Sequence, residues 1–146
     1  MPRVPGLKKE SDVIKRLRDN ARLCLPGLVS FKIHSGIYSG NIGFPDLIFL
    51  YNSQALFLEA KSGSNLTLNQ IATIKQMRQT KTNVWVVRPT KTYPVFMFST
   101  PIKSGEILEV LYDISLKDVW VDIFNGPDRE TMYMKGRASI RPGELK

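Results

Sequence analysis

The stretch GFPDLIFLYNSQALFLEAK, at residues 43–61, decides the fold that we expect for this chain. It contains two apolar runs, LIFL and ALFL, which are separated by the turn-forming residues YNSQ. Short apolar runs bounded by turn residues are typical of buried β-strands, and so short a connection favours a hairpin. The stretch therefore predicts two paired strands, with Asp46 before the first and Glu59 at the end of the second.

Three charged side chains lie at the ends of these runs. Glu59 and Lys61 are two positions apart, so an extended chain directs both to the same face, and the hairpin brings Asp46 beside them. Two carboxylates suit a hard divalent cation such as Mg²⁺, with the lysine orienting or helping to deprotonate an attacking water. The structural alternative is a Glu–Lys pair on an edge strand, with Asp46 following a proline in a turn.

The segments on either side have helical and extended patterns. Residues 10–25 carry apolar side chains at helical spacing before a Pro-Gly stop, and residues 28–33 are predicted to form a strand. The basic residues of this first helix either contact DNA or form an ordinary solvated face. Thr67 and Gln70 form a capping box that begins a second helix, and residues 84–87 follow as a buried strand in parallel pairing.

The motifs GFPD, LIFLYNSQALFLEAK and LTLNQ, in this order, resemble the PD-(D/E)XK nuclease superfamily. The wording is especially similar to the small VRR-NUC branch, found in phage and in DNA-repair nucleases and resembling Holliday-junction resolvases. This resemblance spans residues 10–89. It implies an α/β fold with a restriction-endonuclease-like core, α-β-β-β-α-β, in which a mixed sheet is flanked by helices. We expect one domain over residues 1–146, with the core at about 8–90 and an additional C-terminal α/β segment at about 91–146.

The resemblance also implies the roles of individual site residues. Asp46 and Glu59 would bind the metal ion together with the backbone carbonyl of Ala60, and Lys61 would contact the attacking water or the scissile phosphate. The middle residue of the Glu-Ala-Lys signature is often a larger aliphatic in the family. That position points away from the site, so the difference leaves the expected chemistry unchanged.

One further acid and one amide complete the expected catalytic set. The family tends to place an acid on the first helix, and Glu10 matches it better than Asp12, because the apolar stripe follows Glu10 at the right spacing. The resemblance assigns Gln70 a supporting role at the site from its own helix. The capping box also gives Gln70 a complete structural explanation, and the two roles can coexist.

The charge of the chain favours a polyanionic partner. The sequence has 21 Lys and Arg against 13 Asp and Glu, a formal net charge of +8, which favours phosphate backbones through counterion release. A glycine-rich loop before the Pro-Asp pair offers hydroxyl donors to phosphate, and the second helix directs basic side chains outward. The residues that we expect at DNA are Lys32, Ser35, Tyr38, Lys75 and Arg78.

The sequence after residue 90 gives weaker signals for secondary structure. Residues 93–98 are predicted as a strand, 105–112 as a short helix, 119–124 as a further strand and 137–146 as a basic tail. The single cysteine, Cys24, excludes an internal disulfide framework and is typical of a reducing compartment. No long apolar segment or secretory leader is visible, so we expect a cytoplasmic protein, in the host cytoplasm if the source is a phage, with no membrane partner.

These observations predict a Mg²⁺-dependent endonuclease, with Mn²⁺ as a substitute ion and no organic cofactor. The resemblance suggests branched or junction DNA as substrate, for which a homodimer or higher oligomer would supply paired sites. Three alternatives stay open at this point: a sequence-specific or nicking endonuclease, a non-cleaving DNA-binding protein on a nuclease fold, and a basic protein that binds another protein.

Overall fold

One seven-stranded mixed sheet organises the chain. The computed structural model describes residues 9–33, 43–102, 105–126 and 138–141. In chain order the elements are α1 (Glu10–Cys24), β1 (Val29–Lys32), β2 (Leu47–Tyr51), β3 (Gln54–Ala60), α2 (Leu68–Gln79), β4 (Val84–Pro89), β5 (Val95–Pro101), β6 (Ile107–Asp113), α3 (Lys117–Phe124) and β7 (Ala138–Arg141). The sheet has the spatial order β1 to β7, and its neighbouring strands are antiparallel except for the parallel pair β3–β4. The predicted α-β-β-β-α-β core and the additional C-terminal α/β segment are confirmed.

The β2–β3 hairpin forms where the two apolar runs predict it. Asn52 and Ser53 both adopt positive φ angles, 51° and 63°, which is the backbone of a two-residue turn that matches the twist of paired strands. The register pairs Tyr51 with Gln54 at the turn and Leu47 with Leu58 at the open end. The open end is therefore the place where the charged residues of both strands meet.

Helices cover both faces of the sheet. The apolar stripe of α1 is buried, from Val13 to Ala21, and belongs with α3 to one continuous core. The central residue of α2, Ile74, is buried in a second cluster with Val84 and Val86 on β4. Burying one large apolar side chain contributes about 1.5–3 kcal/mol, so these two layers hold the helices against the sheet.

The second helix begins at the predicted capping box. The backbone N–H of Gln70 donates to Thr67 Oγ1 at 3.1 Å, and the backbone N–H of Thr67 donates to Gln70 Oε1 at 2.9 Å. The helix runs back along the sheet and returns the chain to β4, which lies parallel to β3. Because α1 and α2 both begin near the end of β3, their first turns lie at the open end of the hairpin.

Two predictions for the C-terminal part are wrong. Residues 105–112 do not form a helix: Ile107–Asp113 is a strand paired along its whole length with β5. Residues 119–124 do not form a strand but lie in α3. The sequence VWVDIF fits both periods, and the helix wins because it buries Val119, Trp120, Ile123 and Phe124 on one face and leaves Val121 42% exposed.

Several other predictions fall only partly within the described residues. The strand expected at residues 93–98 is β5, at Val95–Pro101. Within the expected basic tail, Ala138–Arg141 pairs with β6 as the edge strand β7. Ser35 and Tyr38, expected at DNA, lie outside the described residues. No described helix has the length and apolar character needed to cross a membrane.

Candidate active site

Two carboxyl groups lie opposite each other at the open end of the hairpin. The register pairs Leu47 with Leu58, and its next step places Asp46 opposite Glu59. The backbone N–H of Ala60 donates to Asp46 Oδ1 at 3.1 Å, which orients the aspartate side chain toward β3. Opposed residues of an antiparallel pair share a face of the sheet, so the two acids predicted from sequence are brought together.

Burial makes these two acids difficult to ionise together. Loss of solvent around Glu59, reinforced by the charge of Asp46, raises its pKa to about 9. Loss of solvent around Asp46 raises its pKa to about 6, against the lowering effect of the Ala60 N–H. A buried pair of this kind holds a proton or a cation near neutral pH. The interaction between the two carboxyl groups raises the pKa of Glu59 and lowers that of Asp46, so a shared proton is favoured on Glu59.

Gln70 connects the buried glutamate to the start of α2. Its amide Nε2 donates to Glu59 Oε2 at 3.2 Å, while its Oε1 accepts the capping hydrogen bond from Thr67. The other oxygen of Glu59, Oε1, is buried with no N–H or O–H donor among the described residues. A buried oxygen left in this state is costly, and a proton or cation between the acids would satisfy it.

Lys61 is buried beside the two acids and is held by α1. Its side chain is 6% exposed, and its Nζ lies 3.5 Å from Glu10 Oε1. Ser64 Oγ also donates to Glu10 Oε1, at 3.4 Å. Asp12, the alternative acid on this helix, instead accepts from the backbone N–H of Lys9 at 3.2 Å. The acid that the structure places against Lys61 is therefore Glu10.

An open cleft of about 280 Å³ gives solvent access to these groups. The first turns of α1 and α2 form opposite walls, and β1 contributes Lys32 at one side. Among the described residues its lining consists of Glu10, Ser11, Ile14, Lys32, Phe44, Asp46, Glu59 and Gln70. Lys32, which the sequence predicts at DNA, thus lines the same cleft as the acids, and its contact with DNA stays a prediction.

A glycine next to the site has no freedom to carry a side chain. Gly43 has a φ angle of +81°, and a Cβ built there would lie 2.5 Å from the carbonyl oxygen of Asn69. The next residue, Phe44, packs edge-to-face on Phe57 with ring centroids 5.7 Å apart. The approach to Asp46 is therefore pressed against the first turn of α2. Sequence reasoning noted a glycine-rich approach but did not single out Gly43, because every glycine of that loop carries the same local signal.

The basic residues expected on α2 lie farther from the acids. Arg78 follows Gln70 by eight residues, about 12 Å along the helix axis. Its guanidinium donates to the carbonyl oxygens of Pro101 at 3.1 Å and Thr82 at 2.8 Å, and burial lowers its pKa. Lys75 and Arg78 line a separate cleft of about 540 Å³. These contacts give Arg78 a structural role that the sequence did not indicate.

The oxygen atoms of the two acids meet the usual requirements of a protein-bound Mg²⁺ ion. Among the described residues, no group of three or more His, Cys, Asp or Glu side chains is placed to bind a metal ion. Protein-bound Mg²⁺ commonly uses one or two carboxylates and completes its shell with water and substrate phosphates. Asp46 and Glu59 line an open cleft, and Glu59 Oε1 is buried without a hydrogen-bond partner among the described residues, so they are a set of that kind.

Comparison with known proteins gives a likeness in fold and no match in sequence. No family model matches the sequence, and no curated protein matches it. Among solved structures, the fold is similar to Archaeoglobus fulgidus Hjc, a Holliday junction resolvase from an archaeal hyperthermophile. The two chains are 12% identical, the match covers 77% of this chain and 95% of the other, and the TM-score is 0.45.

Proposed function

We propose that this chain is a metal-dependent endonuclease that hydrolyses phosphodiester bonds in DNA. The observation that carries the proposal is the opposed pair Asp46 and Glu59, whose pKa values are both raised, with Lys61 buried beside them. A purely structural ion pair at an edge would leave no buried oxygen unpaired and no second acid facing the first. Raised carboxyl pKa values in an open cleft are typical of sites that bind cations or carry out catalysis.

Asp46, Glu59 and the backbone carbonyl of Ala60 would hold the ion, which we propose to be Mg²⁺ with Mn²⁺ as a substitute. When bound, the ion supplies a Lewis acid that polarises the phosphate and lowers the pKa of water. Gln70 keeps the Glu59 carboxyl oriented through its 3.2 Å hydrogen bond. The ion would therefore enter a preformed pair of oxygen ligands.

Lys61 supplies positive charge at the reacting phosphate. Its Nζ is held by Glu10 on one side and lies in a buried position where its charge is weakly screened. There it orients the attacking water and offsets the negative charge that develops on the phosphate oxygens. Glu10 positions the lysine, and Ser64 in turn fixes Glu10.

The finer assignments follow from the motif order and from the surface. The resemblance to the VRR-NUC branch leads us to propose branched or junction DNA as the substrate. We also propose a homodimer. Its support is an apolar patch on the two outer strands β1 and β2, where Val29, Phe31 and Leu50 are 47%, 54% and 39% exposed on one face of the sheet.

A cleavage assay with matched variants tests the proposal. Purified protein with Mg²⁺ is incubated with linear duplex, single strand, flap and four-way junction, and its mass in solution is measured. We expect cleavage by the wild type, with preference for the branched substrates, and a loss of at least a hundredfold in Glu59→Gln and Lys61→Met. Both variants keep side-chain volume, so a folded variant that still cleaves at the wild-type rate contradicts the proposed roles.

A second candidate is a DNA-binding protein that does not cleave. It is favoured by the small number of acids near the site, since the described residues hold no cluster of three metal-binding side chains. Salt-sensitive DNA binding without any nicking in Mg²⁺ or Mn²⁺ would identify this function instead.

A further inference from the structure

A second cleft continues from the carboxylate site along α1. It has a volume of about 210 Å³ and is bounded by the basic side of α1 and by β1, the edge strand. Ser11, Ile14 and Lys32 line both clefts, so the two form one groove. From Ser11 to Arg22 this groove follows α1 for about 16 Å. We refer to this second cleft as the α1 groove; it is lined by Ser11, Ile14, Lys15, Arg18, Asp19, Arg22 and Lys32.

Two arginines of the α1 groove are held on one hydroxyl of the edge strand. Arg18 Nε donates to Ser30 Oγ at 2.9 Å, and Arg22 donates to the same oxygen at 3.0 Å. Arg18 also reaches the carbonyl oxygen of Ser30, at 3.5 Å. Within the part of the chain that the structure describes, neither guanidinium forms an ion pair. The two guanidinium groups are thus placed side by side. Asp19 interacts with Arg22 at longer range, and an anion bound by both arginines would reduce their repulsion further.

The charge along the α1 groove is strongly positive. Its described lining has four basic side chains, Lys15, Arg18, Arg22 and Lys32, and one acidic one, Asp19. Asp19 is ion-paired with Lys15 at 2.7 Å on the surface, where such pairs are weak. The groove therefore presents more basic charge than its one carboxylate, Asp19, offsets, and guanidinium groups bind phosphate with two parallel hydrogen bonds.

We propose that the α1 groove binds the sugar–phosphate backbone of the DNA strand that is cut, over the nucleotides that flank the scissile phosphate. This inference rests on the proposed function, because the groove starts at the carboxylate pair. One DNA strand carries a phosphate every ~3.4 Å of duplex axis, so a 16 Å groove accommodates several consecutive phosphates. Lys32 contacts the phosphate nearest the cut, and Arg18 and Arg22 contact phosphates farther along the strand. The sequence alone left these arginines as either DNA contacts or a solvated face.

The test pairs the loss of a protein charge with the loss of a DNA charge. A fluorescein-labelled four-way junction carries single neutral methylphosphonates, scanned along one strand, and its affinity is measured in EDTA. We expect wild-type affinity to fall on the order of tenfold at two or three consecutive positions. In Arg18→Gln/Arg22→Gln the same positions should cause little further loss, and the slope of log affinity against log salt should decrease by about two.

Arg16→Gln is the control, since it removes one arginine charge from the same helix. Arg16 lies outside the groove, with its guanidinium 5.0 Å from the ring centre of Tyr93. The control should keep both the wild-type pattern and the wild-type salt slope. If the double variant also keeps them, the arginines serve only to pack α1 on the edge strand and the proposal is wrong.

A further variant covers the case in which the double variant fails to fold. Lys32→Gln changes an exposed residue, and it should remove the methylphosphonate effect at the position nearest the cut. An unchanged pattern in Lys32→Gln contradicts the groove. The two proposals can fail separately. If the protein cleaves DNA in Mg²⁺ but the arginine variant keeps the methylphosphonate effect, only the proposed groove is wrong. If the variant loses that effect but the wild type does not cleave, only the proposed hydrolysis is wrong.

Discussion

Gln70 donates to the buried carboxyl of Glu59 at 3.2 Å while its own oxygen accepts from the backbone of Thr67 at 2.9 Å. One amide therefore fixes the start of α2 and the orientation of a site carboxyl together. This connection explains why an apparently ordinary capping box lies at the open end of the hairpin. It also means that the two roles of the residue can be separated by choosing a substitution that keeps one of them.

Gln70→Glu should keep the cap and disturb the site. A glutamate at this position still accepts from Thr67, so the cap, worth about 0.5–2 kcal/mol, is retained. The variant has no amide donor for Glu59 and brings a third acid to the pair. We expect a folded protein whose cleavage rate falls at least tenfold, measured alongside thermal unfolding. Gln70→Ala is the control that loses both roles, and equal activity in Gln70→Glu and wild type would restrict Gln70 to capping.

The stability of the metal-free protein should fall as the pH rises. The pKa of Glu59 is raised from its ordinary 4.5 to about 9, and that of Asp46 from 3.8 to about 6. For each acid, between its ordinary pKa and its raised pKa, the folded state binds more protons than the unfolded state. The free energy of unfolding therefore decreases as the pH rises through that interval. In EDTA, we expect a lower melting temperature at pH 8.5 than at pH 5. Glu59→Gln removes the larger contribution and should flatten this dependence; a wild-type curve that rises across the interval contradicts the raised pKa values.

Divalent metal should stabilise the protein, more so at higher pH. A ligand that binds the folded state raises the free energy of unfolding by about 2.7 kcal/mol at a hundredfold excess over its Kd. The ion competes with the proton held by Asp46 and Glu59, so its affinity should increase from pH 6 to pH 8 with release of protons. Calorimetry in two buffers of different ionisation enthalpy measures that release. Asp46→Asn should lose the metal-induced shift in melting temperature, and its persistence there would place the ion elsewhere.

Gly43→Ala should displace the approach to the site. The added Cβ would lie 2.5 Å from the carbonyl of Asn69 and would take a φ angle of +81° that non-glycine residues disfavour. Gly27→Ala is the matched control, because it has a similar φ angle of +89° with nothing within 4 Å. We expect a loss of about 1–2 kcal/mol for the control with normal cleavage. Gly43→Ala should be less stable than the control and should also lose activity; equal behaviour of the two variants would rule out the close approach.

Local pattern was sufficient for the hairpin, both core helices and the parallel return to β4. These elements combine a clear period with their own start and stop signals, such as the turn at Asn52 and Ser53 and the cap at Thr67. The C-terminal part lacks such signals. Its apolar residues fit a strand and a helix equally well, so β6 and α3 were exchanged in the prediction. Pairing with the preceding strand, β5, decides β6. Packing of Trp120 on Phe49 and Phe98, which are distant in the chain, decides α3.

The sequence by itself determined which side chains meet at the open end of the hairpin, because the two-residue periodicity of a strand and a short turn leave Asp46, Glu59 and Lys61 no other place. Only the tertiary structure decided how they are held. The contact from Glu10 to Lys61 joins residues far apart in the chain, and those from Gln70 to Glu59 and from the two arginines to Ser30 join a helix to a strand of the sheet. Such contacts depend on how the helices pack against the sheet, and a local pattern of residues does not specify the distance between a helix and a strand.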